Sequence, residues 1–308
     1  MVKTINKVVY KAFGLNIASE ILLPELSPMP EQAALINVEV KVADLSQLWL
    51  QSVVQHEKWV AKHNLFMFQI PDTAIFCVEN GETISVSALN GADEAKIRLY
   101  ILGTCIGVLL MQRRILPLHG SAVAINGKAY ALVGDSGAGK STLASAFLSK
   151  GYQLISDDVI AVTCAKGQNP LVMPAYPQQK LWQESLTEFG MESRGFQSIF
   201  QRETKYLVPV PAQFIAKPLP LGGVFELNKT ESEQIIIQPI QGLERLHTLF
   251  CQTFRNYLLS KLGLLDWHFG MTVILSKQIQ LYQVRRPHAG FTAPQMASLI
   301  LETINREE

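Results

Sequence analysis

The run Gly134-Asp135-Ser136-Gly137-Ala138-Gly139-Lys140-Ser141-Thr142 satisfies the pattern G-x-x-x-x-G-K-[ST] at every constrained position. The chemistry explains the spacing. Glycines let the backbone of residues 135–141 curl until its N–H groups converge on phosphate oxygens at a helix N-terminus. Lys140 brings a point charge to the β- and γ-phosphates, and the Ser141 hydroxyl is a ligand for Mg²⁺. The flanks agree with this reading. Ala129 to Val133 reads as a buried strand, and Lys140 to Lys150 as a helix. That helix carries apolar pairs Leu143/Phe147 and Ala144/Leu148 at i, i+4, with Gly151 just past its end. Together the residues Gly134 to Thr142 imply a site for a nucleoside triphosphate with Mg²⁺.

Past the loop helix, Tyr152 to Ser156 reads as a strand ending at Asp157-Asp158, with an apolar continuation in Val159 to Val162. A right-handed β-α-β crossover would lay this strand beside the loop strand and bring both aspartates to the triphosphate end of the sheet. Two adjacent carboxylates there have two jobs to fill, one on Mg²⁺ and one facing an acceptor. Upstream, Leu118-His119-Gly120 opens an apolar run, and Asn126-Gly127 is a strong hairpin signal. The strand before the loop strand is therefore expected as its antiparallel neighbour. Lys180, Arg202 and Lys205 could offer cations to a transferred phosphoryl group or a charged acceptor, although each alone reads as a surface charge. The same holds for Arg285 and Arg286 as phosphate contacts.

Composition narrows the function classes. The chain has 308 residues, 48% hydrophobic and 17% charged, with a formal net charge of +1. That length suggests two domains, and it buries a large core without staples. Near-neutral charge without a long basic run argues against nucleic acid or an anionic membrane as partner. The scattered Cys77, Cys105, Cys164 and Cys251 form no C-x-x-C pair, which suits reduced cytosol. The first residues lack the apolar core of a signal peptide, and Leu99 to Met111 is too short to span a bilayer. A cytoplasmic protein is expected.

The remaining chain supplies supports. Val8 to Tyr10, Ile36 to Val40, Leu65 to Ile70, Ile75 to Val78 and Thr83 to Val86 read as short strands, the last two joined at Asn80-Gly81. Asp93 to Arg114 reads as one apolar helix. Pro-rich residues 165–220 are irregular, with Tyr176 to Trp182 leading into a helical run. Gly223 to Leu227 and Gln234 to Gln238 read as paired strands, and residues 241–264 as helical. Met271 to Leu275 and Ile279 to Val284 read as strands, before a last helix capped by Thr292.

Leu118-His119-Gly120, Gly134 to Ser141 and Gly151 to Asp158 resemble the catalytic core of HPr kinase/phosphorylases. Those proteins show a histidine–glycine pair, a GDSGxGKS loop and an aspartate pair in this order. Phosphoenolpyruvate carboxykinase shares that kind of nucleotide core. The whole chain is similar to HPr-kinase-like proteins found with lasso-peptide biosynthesis. This wider likeness lies in Tyr10 to Leu15, Ser19 to Ile21, Leu23 to Leu26, and Tyr176-Pro177 with Leu181-Trp182.

The resemblance implies an α/β fold. Residues 115–308 would form a P-loop kinase core of the HPr kinase/PEP carboxykinase type, and residues 1–114 a smaller, mainly-β domain with a buried helix. It implies ATP and Mg²⁺ as cofactors and a serine hydroxyl as acceptor. His119, Lys140, Asp157 and Asp158 would be the catalytic group, with Ser141 and Asp158 as metal ligands. The division of base and metal duty between the aspartates stays open, while His119 would orient the base or balance its charge. The implied partner is a peptide or small protein with an acceptor serine, a lasso-peptide precursor first. HPr, a small hydroxylated metabolite, and an acceptor-free nucleotide switch are the alternatives, and homo-oligomerisation stays open. The sequence also departs from HPr kinases. Thr142 stands where they usually carry glutamate, their Gly-rich second signature has no clear match, and residues 1–114 do not read as a receiver-like domain.

Overall fold

A computed structural model describes residues 6–30, 35–53, 57–62, 64–164, 167–199 and 202–306. The chain forms two compact units, Met1–Pro117 with Arg255–His268, and Leu118–Phe254 with Phe269–Glu308. Among the described residues no helix is long and apolar enough to cross a membrane.

The first unit holds one sheet. Its strands are β1 (Val8–Ala12), β2 (Leu15–Ser19), β3 (Pro28–Met29), β4 (Val38–Val42), β5 (Trp59–Lys62), β6 (Leu65–Ile70), β7 (Ala74–Glu79) and β8 (Thr83–Ala88), in the order β3-β1-β2-β4-β8-β7-β6-β5. Asn80 and Gly81 both take positive φ in the three-residue loop, Asn80 to Glu82, that joins β7 to β8. A short helix α1 (Ser46–Ser52) buries Trp49 with Val60, Met67 and Ile75. The segment read as one apolar helix is α2 (Glu94–Tyr100), a π-helical turn at Ile101–Cys105, and α3 (Ile106–Gln112). Asp93 caps it by accepting from the Ala95 N–H. Residues 101–111 are buried throughout, which is why the run is apolar on every side. The motif opening at Tyr10 is part of this core: Tyr10, Phe13, Leu23 and Leu26 are buried, and the Leu23 N–H donates to Tyr10 Oη at 3.2 Å.

The second unit contains β9 (Leu116–Ile125) from Leu118 onward, β10 (Lys128–Gly134), α4 (Lys140–Ser149), β11 (Gln153–Thr163), β12 (Leu171–Met173), β13 (Gln178–Trp182), α5 (Gln183–Glu188), β14 (Gln197–Ile199) and β15 (Arg202–Pro209). It continues with β16 (Leu219–Thr230), β17 (Ile236–Pro239) and α6 (Glu244–Cys251). Helix α7 (Leu258–Lys261) belongs to the first unit and α8 (Leu265–Gln278) begins there; β18 (Gln280–Pro287) and α9 (Ala293–Asn305) complete the second. Its main sheet runs β10-β9-β11-β12-β16-β18-β17, and β10 also pairs with β16. A three-stranded sheet, β13-β15-β14, accompanies it.

The mixed α/β class and the strand–loop–helix unit are as the sequence predicts. Helix α4 buries Leu143 and Phe147 with Leu132, Phe225, Met296 and Ile300. Each such side chain contributes about 1.5–3 kcal/mol on burial. Gly134, at φ 139°, leaves the loop strand where an added Cβ would lie 2.6 Å from the Leu227 carbonyl oxygen. Only glycine fits there.

Several expectations change. The β9–β10 hairpin forms at Asn126-Gly127, so β9 occupies the edge of β10 where β11 was expected. The parallel neighbour of β10 is β16 instead. β11 does not end at the aspartates but runs through them, with Asp158 at φ 76°. β18 lies between β16 and β17, which were expected to pair directly. Met271 to Leu275 sits inside α8, because a short apolar run has no periodicity to separate strand from helix. The 241–264 run breaks into α6 and α7, and Thr292 stands at the N-cap position of α9 without a side-chain cap bond.

Candidate functional site

The loop residues Asp135 to Gly139 link the end of β10 to the start of α4, so the first N–H groups of α4 are open to an anion. Lys140 folds back over the loop, its Nζ donating to the carbonyl oxygens of Gly134 at 2.7 Å and Asp135 at 3.0 Å. Burial pulls its pKa down, opposed by Asp157 and Asp158. Arg286, leaving β18, donates from Nε to the Ala138 carbonyl oxygen at 3.0 Å. Thr142 shares a 2.8 Å hydroxyl–hydroxyl bond with Ser185 of α5.

Asp157 sits beneath the loop. Its Oδ1 accepts from Ser141 Oγ at 2.9 Å and from Ser121 Oγ at 2.5 Å, and its Oδ2 accepts from the Lys180 N–H at 2.8 Å. The carboxylate that meets Ser141 is therefore that of Asp157, whereas the sequence expectation paired Ser141 with Asp158. Asp158 faces elsewhere. Its Oδ2 accepts from Lys180 Nζ at 2.5 Å, and its Oδ1 lies 3.6 Å from His119 Nδ1. Burial alone would raise the Asp158 pKa; Lys180, His119 and Lys205 overcome it and hold the carboxyl well below the usual range. Lys180 is raised in turn, because Asp158 outweighs its burial. His119 is lowered, burial outweighing the nearby Asp158.

The segment after α6 ties these parts together. The His119 N–H donates to the Gln252 carbonyl oxygen at 2.7 Å. Gln252 Oε1 accepts from the Gly134 N–H at 3.0 Å, and its Nε2 donates to Glu226 Oε1 at 3.1 Å. The glycine of the His119-Gly120 pair has a steric reason. A Cβ at Gly120 would lie 2.1 Å from the Leu132 carbonyl oxygen, so β9 and β10 close only over a bare backbone.

Thus His119, Lys140, Ser141, Asp157 and Asp158 converge at the end of the sheet where the loop opens. Lys180 joins them. Lys205 lies over the Trp182 ring, its Nζ 5.3 Å from the centroid. The side chain of Arg202 lies outside the described residues. Arg285 turns to Gln283 Oε1 at 2.6 Å. Ser121, Gln252 and Glu226 were not anticipated. The period-2 alternation of β9 places Ser121 on the His119 side of the strand, which is the signal that could have found it.

The donor set suits Mg²⁺. Among the described residues no three His, Cys, Asp or Glu side chains cluster as a metal cage. Mg²⁺ needs no such cage, since it takes one or two protein oxygens and completes its shell with phosphates and water. Ser141 Oγ and Asp157 Oδ1, 2.9 Å apart, supply that pair of oxygens.

No family model matches the chain. It is 39% identical over 70 residues to the HPr kinase/phosphorylase of Mycoplasmopsis pulmonis, covering 22% of this chain and 23% of the relative. The HPr kinase/phosphorylase of Limosilactobacillus reuteri is 33% identical over 104 residues, 30% of this chain and 32% of the relative. Over part of its length, the chain resembles HPr kinase/phosphorylases. It spans about a quarter to a third of the length of these curated relatives. A solved structure of the Hpr(Ser) kinase/phosphatase from Coxiella burnetii aligns with 62% of this chain and 94% of its own at 14% identity, with a TM-score of 0.31. That alignment is loose, and the P-loop architecture stands on the strand, loop and helix described above.

Proposed function

We propose that this chain is an Mg²⁺- and ATP-dependent serine kinase. The observation that carries the reading is the division of labour between the two aspartates at a phosphate loop. Asp157 shares Ser141 with the loop helix, while Asp158 faces His119 and Lys180. A nucleotide switch without an acceptor would put both carboxylates on the metal, whereas only Asp157 meets Ser141.

In this reading the loop N–H groups and Lys140 receive the β- and γ-phosphates. Ser141 and Asp157 would hold Mg²⁺, which would neutralise charge on the phosphate oxygens. Asp158, ionised at neutral pH, accepts a hydrogen bond from the acceptor hydroxyl and directs its oxygen toward the γ-phosphorus. The proton passes to Asp158 as the new O–P bond forms and the bond from the γ-phosphorus to the β,γ-bridging oxygen breaks, with ADP as the leaving group. His119 keeps the carboxylate oriented. Phosphoryl transfer asks for positioning and charge balance above all, and the site offers both.

The acceptor is a peptide or small-protein serine. The similarity of Tyr10 to Leu15, Ser19 to Ile21, Leu23 to Leu26, and Tyr176-Pro177 with Leu181-Trp182 to lasso-associated kinases favours the serine of a lasso-peptide precursor. The partial similarity to HPr kinase/phosphorylases favours HPr as the second candidate. Acceptor-dependent ADP formation tests the reading. HPr and peptides ending in serine are supplied in parallel with MgATP, and ADP release that no acceptor stimulates would contradict a kinase.

A further inference from the structure

Lys180 touches both aspartates through two different atoms. Its backbone N–H reaches Asp157 Oδ2 at 2.8 Å, and its Nζ reaches Asp158 Oδ2 at 2.5 Å. Its side chain is only 10% exposed, against 25% for Asp158. The position is fixed by strand pairing. β13 pairs antiparallel with β15, Lys180 opposite Leu207, and the neighbouring Gln179 and Leu181 are buried. Gln179 also anchors β13 to the loop helix, its Oε1 accepting from Ser145 Oγ at 3.1 Å. A buried ammonium on a strand so anchored cannot drift with solvent, so it fixes the carboxylate it binds.

We infer that Lys180 is a positioning residue for phosphoryl transfer, its amide holding Asp157 on the metal side and its ammonium holding Asp158 on the acceptor side. The inference rests on the kinase reading. It separates two roles within one residue. Every substitution at 180 other than proline keeps the backbone N–H that donates to Asp157 Oδ2, so only the Asp158 side should respond. Without Nζ, Asp158 loses its fixed direction, and the acceptor hydroxyl loses the oxygen that aims it. Nucleotide and Mg²⁺ binding remain. Lys180 is thus expected to govern turnover and not nucleotide affinity, which a merely structural lysine would not do.

The test uses the full-length chain with [γ-³²P]ATP and Mg²⁺, with serine peptides and HPr as acceptors. Affinity for MgATP is measured separately by calorimetry. Lys180→Met is expected to lower kcat by about a hundredfold or more while the ATP affinity stays within about threefold. Lys180→Arg, which keeps the charge, should recover to within about tenfold of the parent. Because Lys180→Met strands a half-buried carboxylate at some risk to folding, Lys180→Met/Asp158→Asn is compared with Asp158→Asn alone. Equal turnover of those two variants supports the assignment, since Lys180 then acts through Asp158. A further tenfold drop in the double variant, or a Lys180→Met enzyme with parental kcat, would overturn it. A parent that binds MgATP but transfers phosphate to no acceptor would overturn the kinase reading itself and the assignment with it. The parent control keeps that outcome distinct from a failure at Lys180.

Discussion

The carboxylates of Asp157 and Asp158, consecutive in the chain, share Lys180 through different atoms and otherwise part: Asp157 meets Ser141, Ser121 and the Lys180 N–H, and Asp158 meets the Lys180 ammonium and His119. A regular strand already sends successive side chains to opposite faces. Here β11 adds a left-handed backbone at Asp158, φ 76°, that interrupts the pleat between them. A non-glycine residue in that region costs about 1–2 kcal/mol, and the surrounding bonds must hold it there. The two substitutions should therefore separate. Asp157→Asn is expected to weaken Mg²⁺-dependent nucleotide binding by about tenfold to a hundredfold. Asp158→Asn should leave that binding nearly intact and lower turnover by about 10²–10⁴. Titration of a fluorescent ATP analogue with and without Mg²⁺ checks the first claim, and steady-state kinetics the second.

Gly120→Ala should damage both fold and site. Its Cβ would enter the space of the Leu132 carbonyl oxygen, so β9 must move away from β10 and take His119 with it. A loss of about 1–3 kcal/mol in urea unfolding is expected, with reduced turnover in the protein that remains folded. Parental stability in this variant would show that the strands are not so tightly closed.

Much of this was legible in local sequence, and the reasons are local. A phosphate loop needs its residues in a contiguous run, and a hairpin needs Asn126-Gly127 at its turn, so both can be read directly. The relation of His119 to the aspartates follows from motif order. Lys180 was legible only as one candidate cation among several, and Gln252 not at all, because their meaning is tertiary. Lys180 reaches the aspartates only once β13 pairs with β15. Gln252 sits in the gap between α6 and α7, which the apolar spacing of residues 241–264 disguised as one helix. The neighbour of β10 was misplaced for a related reason. The crossover rule fixes handedness but not whether a hairpin strand already occupies the edge.

Gln252→Leu removes the acceptor of the Gly134 N–H and the donor to Glu226. The Gly134 N–H loses its side-chain acceptor, and Glu226 keeps Asn228, which donates to its Oε2 at 3.3 Å. The expected cost is about 1–3 kcal/mol, with weaker ATP binding because the loop loses its tie to the His119 segment. Denaturant melts with and without MgATP measure both effects. Unchanged values in both would show that Gln252 only fills space.

Acid should destabilise the protein through His268. Burial holds this imidazole down to about 4, against 6.5 for the free side chain. Between those values the unfolded chain binds the extra proton. The contribution of neutral His268 is therefore complete above pH 6.5 and is lost as pH falls from 6.5 towards 4, by about 3 kcal/mol in total. Urea midpoints at pH 7.5 and pH 4.5 should differ less in His268→Gln than in the parent. An unchanged difference would contradict this assignment.

The central claim is transfer of a phosphoryl group to a serine hydroxyl at the Asp158 end of the phosphate loop. Its most direct test is intact-mass spectrometry of acceptor candidates, HPr and serine peptides, after incubation with the protein, Mg²⁺ and ATP. A gain of about 80 Da, mapped to a serine and absent with Asp158→Asn, is the predicted result. ATP binding without any acceptor gaining mass, or an equal gain with Asp158→Asn, would contradict it.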